Sequence, residues 1–300
     1  MTVELRDVTL RDGLQLVGKA PSTARKVEIA RELLALGVPS LEIGSMARGD
    51  LVPTLADTLH IVDALTPEEL ARCWVWVATP GHVRRARERG VVNFQYCLSV
   101  SDAHNRANLG RSTEQSLDTV ADGVAAANGG RVQLTLATSF TCPFEGPVDP
   151  GEVVRIANDP RTAGTEDVVV CDTLGQARPG EVASLVARVR DETPPRRIGF
   201  HGHDTWGQGV ANAVAAVGAG AAFVDGTLGG LGGCPFAPGA SGNTASEDLA
   251  FGLRPEFATP DAFRALVRLG EDLTAELGEN NSSRAAQGAR SRAAAFGWVL

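Results

Sequence analysis

The sequence predicts an α/β chain folded as a (β/α)8 TIM barrel with additional C-terminal helices. Three observations carry this. Eight short runs rich in β-branched and aromatic residues alternate with amphipathic segments. The runs are almost continuously apolar, as strands buried on both faces must be. Polar residues recur at their C-terminal ends, where parallel α/β folds place chemistry. The 300 residues suit one such barrel, which needs roughly 250. A doubly wound sheet is the runner-up, but no GxGxxG follows the first strand.

The expected strands are 3–10, 40–45, 73–79, 94–100, 132–140, 167–173, 197–203 and 222–228. Between them the helical segments are 22–36, 52–65, 81–89, 112–127, 150–158, 179–191 and 207–217. Ser22 and Ser112 are suited to N-caps, and Gly37, Gly90 and Gly218 to C-terminal stops. A glycine-rich loop, 229–243, follows the eighth strand, then a helix from about residue 245 and another over 260–278. This divides the chain into a barrel, 1–253, and a helical extension, 254–300, packing on it.

Net charge is −8 and the isoelectric point about 5.2, which argues against a nucleic-acid partner needing a basic face. No apolar run approaches the ~20 residues of a membrane span, and the N-terminus lacks a signal peptide's apolar region. The expectation is a cytoplasmic protein with a small-molecule substrate. Five dispersed cysteines with no CxxC pair argue against a zinc cluster. Cys73, Cys97, Cys142 and Cys171 fall in or beside apolar runs and read as core residues, whereas Cys234 lies in the glycine-rich loop.

The strand ends collect polar side chains. The first supplies Arg11, Asp12 and Gln15, the second Glu42, the fifth Thr138, Ser139 and Cys142, and the sixth Asp172 and Thr173. The seventh supplies His201, His203 and Asp204, and the loop after the eighth Cys234 and Asn243. Residues two apart on a strand share a face, so His201 and His203 suit one divalent cation. Two structural histidines at a strand end are the alternative. With Asp12 and the amide oxygen of Asn243 they form a mixed oxygen–nitrogen set suited to Mg2+ or Mn2+, with Zn2+ or Co2+ as alternatives. Arg11 is placed either to stabilise a developing enolate or to form a salt bridge to Asp172 or Glu42. Cys234 reads as a proton donor or base on a mobile loop, or as a nucleophile with no dedicated base. The only lysines, Lys19 and Lys26, are away from strand ends. That excludes a Schiff-base aldolase and leaves metal assistance as the route to carbon–carbon chemistry.

TLRDGLQ (9–15), LEIGS (41–45), CPFEG (142–146), CDTLG (171–175), HGHDTWGQGVAN (201–212) and GLGGCPFAPGASGN (230–243) resemble the DRE-TIM metallolyase superfamily. Within it they are most similar to the 3-hydroxy-3-methylglutaryl-CoA (HMG-CoA) lyases. The likeness runs in order over residues 3–253. It implies metal-dependent cleavage of a 3-hydroxyacyl-CoA such as HMG-CoA to acetyl-CoA and a keto acid such as acetoacetate. It assigns metal ligation to Asp12, His201, His203 and Asn243, enolate stabilisation to Arg11, and general acid/base work to Cys234. Glu42 and Asp172 become acidic residues near the substrate hydroxyl, and His201 gains a proton-transfer role. Gln15 is expected at the substrate, and Arg106 and Arg111 at the CoA phosphates. A homodimer is expected. Two departures, Thr9-Leu10 before RDG and the polar fifth strand end LATSFTCPFEG, motivate a second reading. It is a Claisen-type synthase or aldolase acting on a 2-oxo acid or a specialised hydroxy acid.

Overall fold

The computed structural model describes residues 3–233 and 242–300. Eight parallel strands close into a barrel: β1 Glu4–Asp7, β2 Ser40–Ser45, β3 Cys73–Val77, β4 Asn93–Ser99, β5 Arg131–Ala137, β6 Asp167–Asp172, β7 Arg197–Gly202 and β8 Phe223–Gly226. Each pairs with the next in sequence, and β8 closes on β1 with Glu4 opposite Phe223. The predicted (β/α)8 barrel is the fold.

Outward residues such as Val75, Leu134, Val168 and Ile198 join the main apolar core beneath the helices. Inward residues alternate with them, as the two-residue strand period requires. They include Trp76 and Cys97, and Val169, Cys171 and Phe223, which form two small clusters of their own.

Several boundaries differ from the sequence reading. The first strand ends at Asp7, because residues 9–13 form a single π-helical turn in which Gly13 N donates to Val8 O at 3.2 Å. Asp7 Oδ1 accepts from Thr9 N at 3.0 Å and sets the entry to that turn. The fifth strand stops at Ala137, since Thr138 adopts a positive φ of 54°, and the chain then makes a small hairpin pairing Thr141 with Pro147. The segment 101–111, to which the sequence reading assigned neither strand nor helix, contains the helix Asp102–Leu109. Its cap is Ser101, whose Oγ accepts from His104 N. The helix expected over 112–127 is two, Thr113–Leu117 and Val120–Ala126. After the barrel come helices Ser246–Leu253, Pro260–Leu277 and Arg284–Ala289. Phe263 packs against both Phe251 and Trp298, and the Arg254 guanidinium stacks on Trp298 at 3.6 Å. No helix among the described residues is long and apolar enough to cross a membrane.

Candidate active site

At the C-terminal end of the barrel lies a cavity of about 310 Å3. Its deep wall includes Arg11, Asp12, His201 and His203, and its mouth includes Leu16, Leu51 and Val52. The π-helical turn carries Arg11 and Asp12 inward, a use of this rare turn that recurs at functional sites. It is held from β8's end, where Leu228 N donates to Thr9 Oγ1 at 2.7 Å. His201 sits on β7. His203 lies just beyond the strand, with its backbone bridged to Asn243.

Asp12 is the meeting point. Its Oδ2 lies 3.5 Å from His203 Nε2 and 3.8 Å from His201 Nε2. One ligand atom from each of the three residues falls within 4.8 Å of the others. Burial alone would raise the Asp12 carboxyl. The Arg11 guanidinium, with His203 and His201, instead holds it well below the usual carboxylate range. Asp12 is therefore an ionised oxygen donor at neutral pH. Asp225 Oδ2 lies 3.2 Å from His201 Nδ1, which places the ring proton there and turns the Nε2 lone pair toward Asp12. Burial lowers His201's proton affinity, but the Asp225 hydrogen bond and the Asp12 charge raise it overall. An ionised carboxylate and an oriented imidazole beside a second imidazole fit a divalent cation.

Asn243 reaches this point with its amide nitrogen toward its neighbours, donating to Asp12 Oδ2 at 2.9 Å and Leu231 O at 3.1 Å. In this arrangement it orients the Asp12 carboxylate, whereas the sequence reading used its oxygen as a ligand. Gly232 has a φ of 116°, and a Cβ there would stand 2.5 Å from the Asn243 amide, so only glycine fits.

Arg11 ion-pairs with Asp12 and lies 3.8 Å from Glu42. Its close ion pair is thus to Asp12, where the sequence reading offered Asp172 or Glu42, and its Nε makes no hydrogen bond to a described residue. Burial pushes Glu42 up to about 7, and the Gln95 amide, nitrogen toward Glu42, donates to its carboxylate.

Other expected residues are placed differently. Asp172 reaches the barrel top, but its carboxylate accepts from Gln176 N at 3.1 Å and Ala177 N at 3.0 Å. It ties down the turn after β6 and is not turned to the cavity. Gln15 lines the cavity, while Arg106 and Arg111 do not. Arg106 pairs with Asp102 on the surface. Arg111 is spent on Ser116 Oγ and the Ala78 carbonyl. Cys234 lies outside the described residues. Lys26 is buried, its ammonium held by Thr54 O and Asp57, so it offers no amine to the cavity.

The HMGL-like family model matches residues 2–268. The chain belongs to the HMGL-like family. It is 32% identical to the 3-hydroxy-3-isohexenylglutaryl-CoA/hydroxymethylglutaryl-CoA lyase of Pseudomonas aeruginosa, over 95% of this chain and 96% of that one. It is 36% identical to the (R)-citramalyl-CoA lyase of Chloroflexus aurantiacus, over 92% and 91%. The structure of an HMG-CoA lyase from Acinetobacter baumannii in complex with coenzyme A and 3-methylmalate superposes with a TM-score of 0.88 at 31% identity, covering 97% of this chain and 96% of that one.

In this HMGL-like barrel the sequence reading missed several inward residues. Trp76, Gln95, Cys97, Thr135 and Cys171 line the cavity, and Asp225 holds His201. Cys97 and Cys171 are core-like in burial, which pushes Cys97 up to about 11 and Cys171 well above its ordinary value. The available signal was strand parity. Counting back by twos from His201 along the strands separates lumen residues from shell residues, a step beyond reading only the strand ends.

Proposed function

We propose that this carbon–carbon lyase cleaves a short 3-hydroxyacyl-CoA, HMG-CoA or a close analogue, to acetyl-CoA and a keto acid. The observation that carries this is the convergence of Asp12, His201 and His203 at the head of the barrel, with Arg11 on the same cavity wall. The relatives named for CoA-ester lyases support it. A divalent cation, Mg2+ or Mn2+ for this oxygen–nitrogen set, would be held by Asp12, His201 and His203. When bound it would supply Lewis-acid polarisation of the substrate oxygens.

In this reading the substrate hydroxyl gives up its proton, the adjacent C–C bond breaks, and its electron pair becomes the thioester enolate. Arg11, whose Nε makes no hydrogen bond to a described residue, is the fixed positive charge for that enolate. Glu42, pushed up to about 7, is matched to receive or relay a proton near neutral pH. Asp12 holds Arg11 in place, and Asp172 orders the turn 173–177. Cys234 is assigned the final protonation. Cys234→Ala is then expected to lower kcat by about 10²–10⁴-fold without loss of Mn2+ affinity.

The deciding experiment is incubation of Mg2+- or Mn2+-loaded protein with HMG-CoA and with citramalyl-CoA, measuring acetyl-CoA release. Acetyl-CoA formed from either supports the reading. Release from neither, with turnover of a 2-oxo acid plus acetyl-CoA in the joining direction, would establish the synthase alternative.

A further inference from the structure

Arg6 is the largest fully buried side chain among the described residues. It lies in the barrel lumen on β1, with its guanidinium between Phe223 at 4.7 Å and Trp74 at 5.6 Å. A lone cation there is costly unless each N–H is used. Nε and Nη2 donate to Asp225 Oδ1 and Oδ2 at 2.9 and 3.0 Å, and Nη1 donates to Gln133 Oε1 at 2.7 Å. Both partners then lead upward to the site.

On one side, Asp225 Oδ2 also meets His201 Nδ1. On the other, Gln133 Nε2 donates to Thr135 Oγ1 at 3.0 Å. A guanidinium only donates, so Arg6 fixes which way the Gln133 amide faces. Its oxygen must point to Arg6 and its nitrogen to Thr135. Thr135 Oγ1 therefore accepts, and its own O–H is left over. Thr135 lines the cavity, and that proton is spent on no described residue.

We propose that Arg6 is a positioning residue for two walls of the site at once. Through Asp225 it holds His201 with Nε2 toward the cation point. Through Gln133 it makes Thr135 a hydrogen-bond donor to an oxygen of the bound acyl group. The Thr135 half rests on the lyase reading above, because it takes the cavity's ligand to be a hydroxy-acid acyl group. The Asp225 half rests only on the metal site.

The two arms separate by calorimetry. Asp225→Asn is expected to weaken Mn2+ binding about 10–100-fold, the usual effect of losing a histidine's supporting carboxylate. Its affinity for free 3-hydroxy-3-methylglutarate at saturating Mn2+ should stay within about twofold. Asp225→Glu, which keeps the charge but displaces it, reads the same arm should the asparagine variant not fold. Gln133→Leu and Thr135→Val are expected to do the reverse. Each weakens the diacid about tenfold, one lost hydrogen bond, and raises KM in turnover with kcat less affected. Thr135→Ser should restore wild-type diacid affinity, which a packing role for the threonine methyl would not. Wild-type Mn2+ affinity in a natively folded Asp225→Asn protein overturns the His201 arm. Wild-type diacid affinity in Thr135→Val, or no diacid binding by the unmodified Mn2+-loaded protein, overturns the Thr135 arm. Failure of the unmodified protein to release acetyl-CoA from either HMG-CoA or citramalyl-CoA sinks the lyase reading and with it the premise of the Thr135 arm. It leaves the His201 arm to be judged by the Mn2+ measurement, which does not depend on turnover.

Discussion

The outward and inward faces of the barrel wall are both shielded from solvent, yet different forces hold them. Outside, Val75, Val77, Leu134, Leu136, Val168 and Val170 are fully buried under the helices. Each contributes about 1.5–3 kcal/mol by leaving water, and neighbours of similar size are interchangeable at small cost. Inside, Arg6, Gln95, Gln133 and Asp225 are buried as deeply, but what holds them is pairing. Removing one partner there leaves the other uncompensated, typically at 3–5 kcal/mol for an ion pair. The outer face thus sets that the barrel forms. The inner face sets where Asp12, His201 and Thr135 stand, and it tolerates little change.

The sharpest test of that division is at the ligands. His203→Ala removes an inner-face imidazole and is expected to cost more than the ~100-fold in Mn2+ affinity that an outer-shell partner can cost. The melting temperature of the metal-free protein should fall as well, since His203 is buried and its Nε2 lies 3.5 Å from Asp12 Oδ2. Unchanged calorimetric Mn2+ binding would break the assignment. Next in size, Leu134→Ala on the outer face should lose about 2–5 kcal/mol in denaturant unfolding and keep Mn2+ affinity within about twofold. A large drop in metal affinity in that variant would mean the two faces are coupled.

A smaller effect concerns Glu247, buried where the helix Ser246–Leu253 meets the barrel. Its carboxylate accepts from Gly229 N at 2.9 Å. Burial pushes it up to about 8 from an ordinary 4.5. The folded state therefore binds this proton more tightly than the unfolded chain. Its contribution is fullest below pH 4.5 and is lost as pH rises through 8. Glu247→Gln keeps an oxygen for Gly229 and cannot ionise. Its melting temperature relative to the unmodified protein should rise across that window, and a flat difference would show that Glu247 does not titrate there. The smallest effect is expected for Arg106→Ala. Its pair with Asp102 is exposed and worth about 0.3–0.5 kcal/mol, and Arg106 does not line the cavity. A change of more than about threefold in KM for a CoA ester, beyond what a surface pair accounts for, would return Arg106 to the CoA site.

How much was legible follows the same division. Apolar periodicity is a local property, so the eight strands and most helices could be read off the chain. The helix Asp102–Leu109 was missed because its sequence, DAHNRANL, is mostly polar and carries a weak apolar stripe. Of the residues read from recognisable strings at strand ends, Arg11, Asp12, His201 and His203 share one cavity wall, with Glu42 beside Arg11 and Asn243 on Asp12. Asp172 was found by position, but its orientation was not, since whether a carboxylate faces a substrate or the next turn's amides depends on backbone geometry. Arg6, Gln133 and Asp225 went unremarked because a polar residue within a strand looks like a solvated edge until the barrel closes around it.

The sequence by itself determined the barrel, through alternation of strand and helix, and the chemical identity of the donors, through which side chains follow each strand. Tertiary structure decided which of those donors meet. Asn243 reaches Asp12 across 231 residues, and Arg6 reaches Asp225 across 219. Closure of β8 on β1 makes both contacts possible. A strand's side chains carry a face but not an address, and only the register of the closed barrel supplies the second.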